Sequence, residues 1–148
     1  MSVARPYTPL TMASSLADHI RAANETLLGE GDSAAVADFF AGSYVVHLAS
    51  RDFRGHRFVA GFVTQLREAF PDLHVDLEIL LEGDDRVAWR RTLRGAHEAP
   101  FQGFPPTGKQ LVWQDVVVSR FEDGRIVEEW ASTDLAEQLL MSRHAGVG

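Results

Sequence analysis

Four side chains stand where this sequence could do acid/base chemistry: Asp134, His97, His47 and Asp115. Asp134 follows Trp130 by four residues, where a strand-like run gives way to the helix-like "LAEQLL". A carboxyl at an apolar wall beside indole surface has its pKa raised by desolvation, toward the value a general acid/base needs. An Asp there also suits the N-cap of the helix that follows, and the two roles are compatible. His97 ends a run whose odd positions are Val87, Trp89, Arg91 and Leu93. Its imidazole could hydrogen-bond a substrate carbonyl or shuttle a proton near neutral pH, or it could pin its own loop to backbone groups. Asp115 alternates with Trp113, Val117, Ser119 and Phe121, so it points inward if they do. An inward carboxylate beside a tryptophan is costly without partners, which favours a function; a bulge that shifted the register would return it to solvent. His47, in "YVVHLAS", is a base, a polar anchor or a satisfied core histidine. Trp113, Trp130 and Phe62 offer flat surface to a ligand, though such residues also serve simply as core.

Other chemistries lack their residues. There are no cysteines, hence no disulfides, thiol catalysis or thiolate metal sites. Of fourteen Lys and Arg residues only Lys109 is a lysine, so Schiff-base chemistry has one candidate nucleophile in the chain. HExxH, the Gly-rich phosphate loops and the GxSxG elbow are all missing, and His47, His97 and Asp134 have no metal-ligand spacing. A net charge of −7 argues against nucleic acid as partner. No apolar run is long enough for a membrane span or signal peptide, so a cytoplasmic protein is expected.

At 148 residues the chain is expected to form a single domain, residues 1–148, with flexible ends at 1–12 and 143–148. The first half reads as helical. "SLADHIRAANETLLGEG" places Leu16, Ile20, Ala23 and Leu27 at helical spacing behind a possible capping box of Ser15 and Asp18. "SAAVADFFA" predicts a short helix and "SYVVHLA" a strand. "GHRFVAGFVTQLREAF" carries Val59, Phe62, Val63, Leu66 and Phe70 on one face and stops at Pro71. Beyond it the period falls to two through four strands, and "DLAEQLLMSR" predicts a closing helix. The class is α+β. Arg86, Arg90, Arg91 and Arg94 read as a solvated outer face paired with acids. Between two strands lies "FQGFPPTGK", where prolines 105 and 106 cannot donate ladder hydrogen bonds; it reads as a structured loop with Phe101 and Phe104 folding inward. An uncovered sheet edge makes a homodimer the expected assembly.

The pieces "AFPD" (69–72), "GAH" (95–97), "FQGFPPTGK" (101–109), "RFEDGRIVEEW" (120–130) and Asp134 occur in the order and spacing of one family. The chain resembles the SnoaL-like polyketide cyclase group of the nuclear transport factor 2-like superfamily. It departs from the family pattern at Ala96 and at "EA" 98–99, beside His97. The resemblance implies a strongly curved antiparallel sheet wrapped around N-terminal helices as a cone with an apolar cavity. It also implies an Asp at position 134 that moves protons during ring closure, a His at 97 near the cavity, and no cofactor. In related isomerases a catalytic carboxylate stands near the place of His47.

These readings converge on cofactor-independent acid/base catalysis on a small hydrophobic carbonyl compound, such as aldol ring closure or isomerisation. Asp134 and His97 would be catalytic, and His47, Phe62, Trp113, Asp115 and Trp130 would contact substrate. The alternatives are a non-catalytic binding module for small apolar ligands, or a dehydratase or epoxide hydrolase on the same scaffold. The hydrolase would need an Asp–Arg–Asp set, for which Asp115, Arg91 and Asp134 are the available residues.

Overall fold

The computed structural model describes residues 15–145. Residues 1–12 and 146–148, within the ends expected to be flexible, lie outside that range. The first helix, α1 (Leu16–Asn24), starts at the anticipated capping box. The Ser15 hydroxyl accepts from the Asp18 amide at 3.0 Å, and the Ser15 amide donates to the Asp18 carboxylate at 3.3 Å. Ser15→Ala removes one half of this reciprocal cap and is expected to cost about 1 kcal/mol, readable as a lowered thermal midpoint. A π-helical turn (Glu25–Gly29) follows directly. It begins where the Asn24 side chain donates to the Ile20 carbonyl at 3.0 Å, and a side chain competing for the helical ladder is a recognised cause of such irregularity.

The segment expected as one short helix is divided into a 3-10 turn (Ser33–Ala35) and α2 (Val36–Phe39). Strand β1 (Phe40–His47) starts earlier than expected, and a three-residue strand, β2 (Asp52–Arg54), was not anticipated. Helix α3 (Gly55–Ala69) buries Val59, Val63, Leu66 and Ala69 and ends ahead of Pro71. The meander β3 (His74–Glu82), β4 (Arg86–Ala96), β5 (Gln110–Glu122) and β6 (Arg125–Thr133) then leads into α4 (Leu135–Ala145).

The six strands form one sheet in the order β2-β1-β6-β5-β4-β3. It is mixed rather than wholly antiparallel, because β1 runs parallel to β6. A parallel ladder needs a long connection, and α3 with the meander supplies one. Register shifts between Ile79 and Leu81 and between Arg120 and Phe121 mark bulges, which bend strands and increase their twist. Helix α1 packs against β3 and β4, α3 against β1, and α4 against β5. No helix among the described residues is long and apolar enough to cross a membrane.

The loop between β4 and β5 is a small hairpin of its own. Phe101 and Phe104 exchange backbone hydrogen bonds of 3.0 and 2.9 Å around Gln102 and Gly103, which have φ of 49° and 85°. Positive φ at both central positions is what a tight primed turn demands. The turn drives Phe101 into the core against Phe70, with ring centroids 6.3 Å apart. On β4, a Cβ at Gly95 would sit 3.1 Å from that of Phe70, so glycine permits the close approach of the strand to the end of α3.

Candidate functional site

Strict alternation places Val87, Trp89, Arg91 and Leu93 of β4 on the concave face, with Leu111, Trp113, Asp115, Val117, Ser119 and Phe121 of β5. Arg91 is therefore interior and is not part of the outer basic cluster. Arg86, Arg90 and Arg94 do lie outside, paired with Asp85, Glu78 and Asp76. Arg91 stands directly across the ladder from Asp115, and its Nε donates to Asp115 Oδ2 at 2.7 Å. Its Nη1 donates to Asn24 Oδ1 at 2.7 Å, and its guanidinium lies 5.2 Å from the centre of the Trp89 ring. The other Asp115 oxygen, Oδ1, is buried with no hydrogen-bond partner. A carboxylate anchored at one oxygen and bare at the other is oriented but not used up.

A second interior polar group, which sequence reasoning missed, stands four residues farther along the ladder, where Glu129 pairs with Ser119. Glu129 on β6, only 8 % exposed, receives the Tyr44 hydroxyl at 2.7 Å and the Ser119 hydroxyl at 2.5 Å. Ser119 in turn accepts from Trp89 Nε1 at 2.9 Å. Burial raises the pKa of Glu129, against the pull of its two hydroxyl donors and, more weakly, of Arg91. Tyr44 is pushed far up by burial and by the neighbouring carboxyl.

His97 and Trp113 share an aromatic cluster at the far end of β4 and β5. The imidazole stacks on Phe70 at 5.3 Å, and Phe70 packs on Trp113 at 4.7 Å. His97 is 1 % exposed, and neither ring nitrogen completes a hydrogen bond. Desolvation by burial lowers its pKa, which favours the neutral ring. The Asp134 carboxylate accepts from the Gln114 amide at 2.8 Å and from the Gln138 side chain at 3.3 Å, tying α4 to β5. The His97 amide donates to the carbonyl of Lys109, just ahead of β5 and five residues from Gln114. That separation is about 17 Å at the usual strand rise, so the structure does not bring Asp134 and His97 together.

His47 and Trp130 are opposite partners in the β1–β6 ladder on the convex face, with rings 5.6 Å apart. Trp130 is 37 % exposed and lies beneath Arg86. His47 bridges Glu128 at 2.7 Å and Asp52 at 2.8 Å, and these bonds raise its pKa, Glu128 contributing most. Phe62 stacks in a row with Phe58 and Phe53 where α3 meets β2. NMR titration should therefore separate the two histidines, His47 above and His97 below the ordinary value of about 6.5. The contribution of His47 to stability is full below that ordinary value and fades as pH rises through its folded pKa. His97 acts oppositely, its neutral burial costing stability as pH falls below the ordinary value.

A groove of about 470 Å³ opens between α1 with its π turn and β3. Arg21, Asn24 and Glu25 line one side and Leu73, Val75 and Leu77 the other. Asn24 thus touches both the groove and Arg91, so an open surface leads through two contacts to Asp115. No group of three or more His, Asp or Glu suited to a metal ion occurs among the described residues.

A model of the SnoaL-like polyketide cyclase family matches residues 18–140, a span that contains every residue of this interior system. The chain belongs to that family. Its likeness to solved structures is spread over most of the chain. IdmH of Streptomyces antibioticus, a candidate polyketide cyclase, is 30% identical, with 86% of this chain and 97% of that one covered at a TM-score of 0.71. A candidate polyketide cyclase of Acidithiobacillus ferrooxidans is 27% identical, covering 90% and 98%, with a TM-score of 0.74. AclR of Streptomyces galilaeus, a candidate hydroxylase, is also 27% identical, covering 86% and 96% at 0.72. No relative is found among curated protein sequences. The solved structures that this chain resembles therefore carry more than one named chemistry.

Proposed function

We propose that this member of the family is a cofactor-independent acid/base catalyst acting on a small hydrophobic carbonyl compound, by aldol ring closure or keto–enol isomerisation, with Asp115 as the group that moves the proton. The observation that carries this reading is the free, buried Oδ1 of Asp115 while Oδ2 is fixed by Arg91. A general base must be oriented and unblocked, and the Arg91 bond orients this carboxylate while leaving its other oxygen free. The groove beside Asn24, with Leu73, Val75 and Leu77 along it, is where an apolar substrate would enter. A compound held folded against these apolar side chains would gain much of its rate from proximity.

Asp134 and His97, the first candidates from sequence, take other parts in this reading. Asp134 fastens α4 to β5, and His97 completes the aromatic cluster around Phe70. The hydrolase alternative retains its Arg91–Asp115 half, but Asp134 is bonded to Gln114 and Gln138 instead of to that pair. The test is deuterium exchange at the carbon alpha to the carbonyl of ethyl benzoylacetate, an aromatic β-keto ester. Loss of exchange in Asp115→Asn with retention in Asp134→Asn supports the assignment. The reverse pattern, with both variants folded, returns the role to Asp134. Binding of the probe without exchange by the unmodified protein would favour the non-catalytic binding module. We also infer a homodimer from the nine-residue β3 edge, where Leu80 and Leu81 are exposed, and light scattering of the purified protein would detect it.

A further inference from the structure

We propose that Asn24 is the specificity-determining residue of the groove between α1 and β3. Its side-chain amide donates to the carbonyl oxygen of a neutral, largely apolar ligand seated there, and through Arg91 it ties that ligand to the interior ion pair. This rests on the reading of the groove as the place of entry for an apolar carbonyl compound, and it does not depend on Asp115 acting as a base.

Asn24 lines the groove. Its Oδ1 accepts from Arg91 Nη1 at 2.7 Å, and its Nδ2 donates to the Ile20 carbonyl at 3.0 Å. A guanidinium only donates and a carbonyl only accepts, so the two bonds fix which end of the amide is oxygen. They also hold the amide at both ends. Nδ2 carries two hydrogens, and one of them is engaged among the described residues. The second is a donor positioned before any ligand arrives, which lowers the cost of binding.

Arg91 borders the same space. Its ladder partner on β3 is Leu77, a lining residue of the groove, and its partner on β5 is Asp115. Residues directly opposite in a ladder have Cβ atoms about 5 Å apart. The groove floor, Arg91 and Asp115 therefore follow one another across the sheet, and Asn24 reaches over from α1 to the middle of the three. The wall beside Asn24 is irregular helix. Glu25 and Gly29, the first and last residues of the π-helical turn, both line the groove. Arg67 of α3 holds the end of that turn, donating to the Leu28 and Gly29 carbonyls at 2.5 and 3.2 Å. Such turns are rare and occur frequently at functional sites.

The lining also sets the class of ligand. A space of about 470 Å³ lies within the roughly 300–1,000 Å³ of small-molecule sites. Leu73, Val75 and Leu77 take the apolar body. Both basic residues of the groove are already held by acids, Arg21 by Asp18 at 3.0 Å and His74 by Asp76 at 3.3 Å. Glu25 forms no ion pair among the described residues, so the rim is acidic. An acidic rim repels a carboxylate and admits a neutral ketone or ester.

The test is binding, with two probes of nearly equal shape: 4-phenylbutan-2-one, a neutral ketone, and 3-phenylpropanoate, the corresponding anion. In NMR titration of nitrogen-labelled protein, the ketone is expected to shift the Asn24 side-chain amide and the Arg91 Nε–H together. The anion is expected to bind at least about 10-fold more weakly. Asn24→Asp keeps an acceptor for Arg91 and removes the donor, so it should retain the Arg91 Nε–H signal and bind the ketone about 10-fold more weakly. A purely structural Asn24 would leave ketone binding unchanged in that variant, and this result overturns the proposal. So does binding that leaves the Asn24 and Arg91 signals unmoved, or an anion that binds as tightly as the ketone. The last two are read on the unmodified protein and need no variant to fold. Proton exchange by the Asp115 variants is a separate measurement: its failure removes the base and leaves this site standing, whereas exchange without ketone binding at Asn24 removes this site alone.

Discussion

Asp115→Asn is expected to slow alpha-proton exchange by about 10²- to 10⁴-fold, the span that a positioned acid or base contributes. Asparagine keeps the size of the side chain and can leave an oxygen toward Arg91, so loss of rate with a folded protein would isolate the proton-transfer role. Asp115→Leu separates the structural role. It strands the Arg91 guanidinium in an interior where Arg91 and Asp115 side chains are 14% and 9% exposed. Breaking one half of a buried ion pair costs about 3–5 kcal/mol, because the remaining charge loses its partner without regaining water. Urea unfolding of the two variants should give a small shift for Asn and a large one for Leu. Equal shifts would mean that the ion pair contributes little.

Phe70→Ala should be the most damaging apolar substitution. Phe70 has no exposed surface and touches His97, Phe101 and Trp113, so it joins the end of α3 to both long strands and to the loop between them. Removing a fully buried ring costs about 3–5 kcal/mol through lost transfer energy and the cavity left behind. The same change brings water toward His97, so the His97 titration midpoint should rise toward its ordinary value. A large loss of stability with an unmoved His97 midpoint would mean that the loop collapses into the cavity.

The alternation in β4 and β5 was legible because each is long and buried on one face only. It put Trp113 and Asp115 on the same side, as found. It also put Arg91 with Val87 and Trp89, but a charge surrounded by other arginines in sequence invites an outer assignment. Only the register, which sets Arg91 opposite Asp115, shows how the interior accommodates it. Glu129 was not legible. "RIVEEW" offers two adjacent glutamates, and Ile126 and Val127 are both buried, so the alternation starts with no defined phase. The bulge beside Phe121 decides that Glu129 faces Ser119 inside and Glu128 faces Arg120 outside. Asp134 and His97 were close in motif and distant in space, because a strand stretches five residues over most of a domain radius. The groove has no sequence signature at all, since it lies between a helix and a strand fifty residues apart.

The single parallel ladder has a consequence for how the molecule assembles. Strands β3 to β6 each pair with the strand just before or after them in the chain, so their closure spans no more than the 13 residues between β4 and β5. The β1–β2 unit closes onto β6 across 81 to 85 residues, the separations of the His47–Glu128 and Tyr44–Glu129 contacts. Contacts that close long loops are the slow ones in folding. On a ribosome the N-terminal strands therefore emerge first and wait longest, with β1 lacking its partner until the last strand is made. Variants that weaken the β1–β6 seam should lengthen that exposed interval and raise aggregation during synthesis more than their equilibrium stability would indicate.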